Sequence, residues 1–392
     1  MLLTLTQSAL PSILLLFTKR RSLLRPAWIV ASLCLAYLLF LPGPNTSTGP
    51  PRSTKSGAHV ALAMVQTVNV LITVPLNRDD LIQAGIFTTS SPILMQIYHT
   101  MSTLFFYTRG INTPWQAKSI PSHPRYLAVQ AKPTIPRRSF LARQATILAW
   151  QYLALNALVA VDGHASSFLD TQSAAATNNW ILRSAIVFIV WFIALRLVID
   201  SGYRALSLVA TALTISAPGD WPPLFGRMRD AYTLRAFWGK FWHQLLRRPL
   251  TAFSNHLTQE IMHLSCPSMW ERYTNNLVVF ILSGAIHLAS DYEAGVTIAE
   301  SRAMVFFPSF VPLFMIEDGV RHLWRRVCRP TSCTDSSSSG IALWQRVLGY
   351  LWVIMFVERQ VFFEPLKATG LFDTTRWVGP HTLMSPSILG EV

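Results

Sequence analysis

An ionisable side chain inside an apolar helix is costly to keep there, so it marks a place where chemistry is expected. His287 is such a group: the stretch from Tyr273 to Ser290 carries no charge, and the histidine is its polar intruder. Ser283 and Gly284 precede it at i−4 and i−3, so on a helix the three share one face. A neutral imidazole, with an ordinary pKa of about 6.5, is suited to take a proton from a hydroxyl at physiological pH. Two readings of the face stand side by side. Either Gly284 leaves an opening beside the imidazole for a substrate, or Ser283 and Gly284 let two helices approach closely with His287 hydrogen-bonded between them.

A second constellation is Phe237-Trp238-Gly239-Lys240-Phe241-Trp242-His243-Gln244-Leu245-Leu246-Arg247-Arg248. As a helix it would align Trp238, Trp242 and Leu245 on an apolar face, and Gly239, His243 and Arg247 on another. Aromatic and basic residues at this density suit the membrane interface, and an amphipathic anchor accounts for both. It does not account for the pair His243-Gln244. No metal is expected: His256 and His263 are too few and wrongly spaced for a di-iron hydroxylase, and Cys34, Cys266, Cys328 and Cys333 match no common zinc pattern.

The elements that must position these residues are membrane helices. Of the 392 residues 51% are hydrophobic and only 13% charged, against about 25% charged in soluble domains. The net charge of +14 lies in short basic blocks between apolar stretches rather than on one continuous face. That pattern argues against nucleic acid and obeys the positive-inside rule. Apolar segments are expected at 1–17, 27–41, 58–76, 145–161, 181–199, 273–290, 303–316 and 341–357. The 81–108 stretch is broken by Pro92 and reads as an in-plane or hairpin element; 206–216 is too short to span and reads as interfacial or re-entrant. The fold class is therefore all-α: a polytopic transmembrane helical bundle of about seven to nine spans with interfacial or re-entrant helices. Residues 1–76 would supply N-terminal membrane helices and a lumenal loop, and 77–392 the core. In that loop Asn45-Thr46-Ser47 is a glycosylation acceptor pattern, lumenal if the basic 18–26 stretch is cytosolic. The outer loop at 162–179 has no Lys or Arg; 109–143, 220–248 and 321–340 are basic and read as cytosolic.

Phe237 to Arg248 resembles the FWGRRWHQLLR signature, and Val279 to His287 the FLVSGLLH signature, of the wax-synthase-like branch of the membrane-bound O-acyltransferases. Arg109-Gly110-Ile111-Asn112-Thr113-Pro114-Trp115-Gln116 is similar to the RGIGTPW segment of fungal members. Lys240 and Phe241 replace the usual basic pair and leave His243 intact. The resemblance implies a transferase that moves an acyl group from coenzyme A to a hydroxyl, with His287 as base and His243 orienting or polarising the reacting groups. His243 or Gln244 would donate to the developing oxyanion, with Ser283 as further support. Arg235, Lys240, Arg247 and Arg248 would face the phosphates of acyl-CoA, a co-substrate and not a tightly bound cofactor.

The fungal character of the 109–116 segment favours acetyl-CoA and a terpenoid or related secondary-metabolite alcohol drawn from the lipid bilayer. A wax synthase esterifying long-chain alcohols is the alternative. The expected location is the endoplasmic reticulum membrane. A transporter, the rival from another class, would favour charges in mid-span and paired broken helices in two related halves, and the sequence offers neither.

Overall fold

The computed structural model describes residues 2–40, 57–106, 108–124, 135–171, 180–293, 296–327 and 342–359. These residues are helical or irregular, with no strand among them. Asn45, Cys328, Cys333 and the residues beyond 359 lie outside the described set. The chain forms two compact units. Among the described residues the first comprises those within 2–119 and 243–327, and the second those within 120–242 and 342–359.

In the first unit, α1 (Leu2–Phe17), α2 (Leu24–Phe40) and α3 (Gly57–Val68) pack on one another, and α3 also lies against α9 (Arg247–Asn255) and α10 (Met269–Glu293). The 81–108 stretch resolves into α4 (Arg78–Gln83), a turn, and α5 (Ile93–Met101) running into a wider turn at Ser102–Phe106. Asn77 starts α4 with a capping box: its side chain accepts from the Asp80 N–H, and the Asp80 carboxylate accepts from the Asn77 N–H, satisfying two donors that a helix start leaves open. Buried Gln66 reaches from α3 to the Leu104 carbonyl at 2.6 Å, a bond that fixes the two elements where no water is available. Leu15, Leu16, Val70, Leu71, Leu81, Phe87 and Leu104 form the core beneath them.

A one-turn helix, α11 (Ala303–Phe306), and the 18-residue α12 (Phe310–Val327) complete this unit against α10. Together 303–327 is the one described helix long and apolar enough to cross a membrane by length and composition, and 6–17, 24–37, 60–73 and 343–357 are shorter apolar helices.

The second unit is built on α6 (Arg137–Thr171) and α7 (Trp180–Ala212), which pack along each other. At 1.5 Å per residue each is roughly 50 Å long, beyond the ~30 Å of a hydrocarbon core. The 206–216 stretch is therefore no separate re-entrant element, since α7 continues through it to Ala212. Likewise α6 runs to Thr171 through most of the expected 162–179 loop.

The physical reason lies in the charges at the end of the apolar run. Asp200, only 4% exposed, accepts from Gln151 Nε2 and Arg204 Nε, each at 2.7 Å, and Arg204 Nη1 donates to Gln144 Oε1 at 2.7 Å. With each charge met by the neighbouring helix, nothing forces the backbone to break there. Beyond α7 come short turns, α8 (Leu234–Ala236) and α13 (Leu343–Arg359), which packs on α7.

Candidate active site

The FWGKFWHQLLR segment is not one helix. Phe237–Phe241 forms a wide helical turn that ends where Trp242 becomes extended, at φ −62° and ψ 154°; α9 begins only at Arg247. The expected alignment of Gly239, His243 and Arg247 on one face therefore does not occur. The aromatics also differ from an interfacial anchor. Phe237, Phe241 and Trp242 are buried in the second unit, with Phe192 4.7 Å and Phe225 5.4 Å from the Trp242 ring, and the Arg196 guanidinium sits over Phe225 and Phe241. Arg235, on α8, and exposed Lys240 belong to this second unit.

His243 and the rest of the segment belong to the first unit. There α9 and its extension run antiparallel to α10. Gln259 Nε2 donates to Glu271 at 3.0 Å, and Ser254 Oγ to the Asn275 carbonyl at 2.9 Å. His243 precedes the start of α9 and is near enough to His287 on α10 for the two imidazoles to interact electrostatically. Burial first, and then the neighbouring His287, push the His243 imidazole down to about 3. A ring so perturbed is uncharged at pH 7 and offers a neutral N–H.

His287 stands on α10 with its Nδ1 2.8 Å from the Ser283 carbonyl oxygen. A carbonyl only accepts, so Nδ1 carries the proton and Nε2 the lone pair. Proton acceptance thus falls to Nε2. Ser283 contributes its main-chain oxygen here, which any residue would supply. Phe307 lies against the imidazole with ring centroids 4.4 Å apart, and is itself braced edge-on by Phe306 at 4.9 Å. The ring is therefore held both by a bond and by a flat apolar neighbour.

Gly284 does not open a space. A Cβ there would come within 3.1 Å of the Ala303 carbonyl oxygen and of Met304 Sδ. Of the two sequence readings of this glycine, close helix approach is the one realised, and the imidazole must be reached from another side.

Gln244 is 1% exposed, and its Oε1 accepts from Arg247 Nη1 at 2.9 Å. That bond orients the amide and engages its Oε1 end. It also commits one arm of Arg247 to positioning. Arg248, 6% exposed, sits 5.9 Å over the Trp115 ring, and burial lowers its guanidinium to about 10.

Phe307, Trp115 and Thr108, whose Oγ1 donates to the Leu245 carbonyl at 2.8 Å, were not indicated as site neighbours by spacing. They lie in apolar or irregular runs far along the chain. The RGINTPW resemblance was the available signal for Trp115, and it begins one residue after Thr108. No group of three potential metal ligands occurs among the described residues.

Residues 221–309, which include both histidines, match the membrane bound O-acyl transferase family. Similar curated proteins are acetyltransferase spyB of Aspergillus fumigatus, 39% identical over 90% of this chain and 62% of the relative, acetyltransferase atnC of an Arthrinium species, 34% identical over 97% of this chain and 90% of the relative, and acetyltransferase pyr8 of Aspergillus fumigatus, 33% identical over 96% and 87%. The chain thus spans somewhat under two thirds of the first of these relatives and most of the other two. No solved structure matches the chain.

Proposed function

This chain belongs to the membrane-bound O-acyltransferase family, and from that premise we propose that it transfers an acetyl group from acetyl-CoA to a hydroxyl of an apolar secondary metabolite, a terpenoid or meroterpenoid alcohol. The observation that carries the reading is the fixed tautomer of His287, with Nδ1 bonded to the Ser283 carbonyl, beside an uncharged His243.

In the proposed step the alcohol oxygen attacks the thioester carbonyl carbon while His287 Nε2 takes the hydroxyl proton. The carbonyl oxygen gains negative charge, and His243 and the Gln244 amide donate to it. As the intermediate collapses the C–S bond breaks, the thiolate of coenzyme A leaves, and the imidazolium returns its proton to sulfur. The products are an ester and free coenzyme A, with no covalent acyl-enzyme. Arg235, Lys240, Arg247 and Arg248 are the candidate partners of the donor's phosphates.

The bundle is proposed to cross the endoplasmic reticulum membrane about seven to nine times, with 1–76 preceding the catalytic core at 77–392. Its basic blocks would face the cytosol, where acyl-CoA is dissolved, and the alcohol would enter from lipid. The acetyltransferase names of the relatives support a short donor.

The test is His287→Ala in membranes from a host that lacks the activity, supplied with acetyl-CoA and extract containing the free alcohol. Loss of more than about 100-fold in ester formation is expected, with the protein at wild-type abundance. Retained turnover would remove His287 from the mechanism.

A further inference from the structure

The 108–117 loop plays no part in the reaction steps above, yet it is closely built. Thr108 is bonded to the Leu245 carbonyl, the Ala117 N–H donates to the Arg109 carbonyl at 2.8 Å, and Thr113 Oγ1 donates to the Gly110 carbonyl at 2.7 Å. Gly110 has φ +62°, and a Cβ on it would strike Trp115 Cδ1 at 2.8 Å. Glycine is therefore required twice over, and what the coil presents is the Trp115 indole. That indole also packs against the leucine-rich core of the first unit.

Arg248 stands over the ring. Its Nη1 is buried with no hydrogen-bond partner, and so is Trp115 Nε1. No carboxylate among the described residues forms an ion pair with Arg248. A cation over tryptophan is attracted by the ring, but taking a charge out of water costs more than one such contact returns. The cation–π contact alone does not offset that cost, and two buried donors point the same chemical way. A group with several acceptor oxygens and negative charge satisfies all of it. Arg248 also lies in the first turn of α9, at the positive end of the helix dipole.

We propose that Arg248 and Trp115 Nε1 form a buried seat for a phosphoryl group, and that the group is one of those on the acyl-CoA. The assignment rests on the acyltransferase reading above. The co-substrate is favoured over a lipid headgroup because Arg248 follows His243 by five residues, at most about 17 Å of extended chain and within reach of a pantetheine arm, and because Arg248 is almost wholly covered by protein.

The experiment measures equilibrium binding of radiolabelled coenzyme A to membranes containing the full-length protein, beside binding of pantetheine, which has the thiol arm and no phosphate. Arg248→Met is expected to weaken coenzyme A at least tenfold and leave pantetheine unchanged, with Arg248→Lys in between. Should Arg248→Met fail to accumulate, Trp115→Phe keeps the ring and removes only the N–H, and a three- to tenfold loss for coenzyme A alone is expected. Equal losses for both ligands, or none, would overturn the seat. So would a loss that appears only in vesicles containing phosphatidic acid and vanishes in neutral lipid, because the occupant would then be a lipid phosphate. Binding is read without turnover. A protein that binds coenzyme A through Arg248 yet transfers no acetyl group would refute the acetyltransferase reading and leave the seat standing, whereas unaltered binding by Arg248→Met with normal transfer would refute the seat alone.

Discussion

His243 stays uncharged through the physiological range because burial and His287 both oppose its protonation. The consequence for stability has a definite sign. An unfolded histidine takes up a proton below about 6.5, while the folded one refuses it until about 3, so the folded state loses ground as pH falls between those values. His243→Asn is therefore expected to flatten the fall in melting temperature between pH 7 and 4.5, where wild type should lose on the order of 2 kcal/mol. Detergent-solubilised protein scanned at several pH values gives the answer, and an unchanged slope in the variant would contradict the assignment. Both histidines were legible in the sequence, because a polar ring in an apolar or aromatic run has few bland explanations. Their surroundings were less so. Phe307 sits on His287 from a separate apolar run, and nothing in its periodicity separates a residue that flanks the imidazole from one that faces lipid. Gly284 was legible only as a small residue, and whether such a residue admits a substrate or a helix depends on what stands opposite.

At the scale of elements, the reach of α7 past its apolar run is the largest departure from the sequence reading. The expected span stops at residue 199, immediately before Asp200 and Arg204, because single-chain reasoning sets each charge against solvent. The partners Gln151 and Gln144 lie 49 and 60 residues earlier on α6 and look unremarkable there. The same network makes the pair sensitive to one substitution. Asp200→Leu removes the only carboxylate bonded to Arg204 among the described residues and leaves a mostly covered guanidinium with Gln144 alone, a loss of roughly 2–4 kcal/mol. Gln151→Leu deletes one hydrogen bond to the carboxylate and should cost nearer 1–3 kcal/mol. The temperature at which half the protein leaves the monodisperse peak in detergent orders the two variants. If Asp200→Leu proved no worse than Gln151→Leu, the network would not be what allows α7 to continue. Expression at wild-type level with intact coenzyme A binding separates this effect from one on the first unit.

For the molecule as a whole, the question is which face of the bilayer carries the chemistry. The 33 Lys and Arg residues outnumber the 19 Asp and Glu, and their grouping in blocks at 19–25, 118–143 and 227–248 sets the orientation if the positive-inside rule holds. The last of these blocks runs through His243 to Arg248, so under that proposal one rule would set both the topology and the side from which acyl-CoA arrives. Coenzyme A is too charged to cross the membrane unaided, which means that an inverted protein would present this segment to the wrong compartment. Asn45, though outside the described residues, reports on this directly. It is expected to carry an endoglycosidase-sensitive glycan that Asn45→Gln abolishes, while an acceptor sequon inserted after Lys118 stays unmodified. Modification at the inserted site with none at Asn45 would turn the bundle over. The acyl-CoA reading would then require donor on the lumenal side, and measuring transfer in sealed microsomes with acetyl-CoA supplied only outside decides between the two orientations.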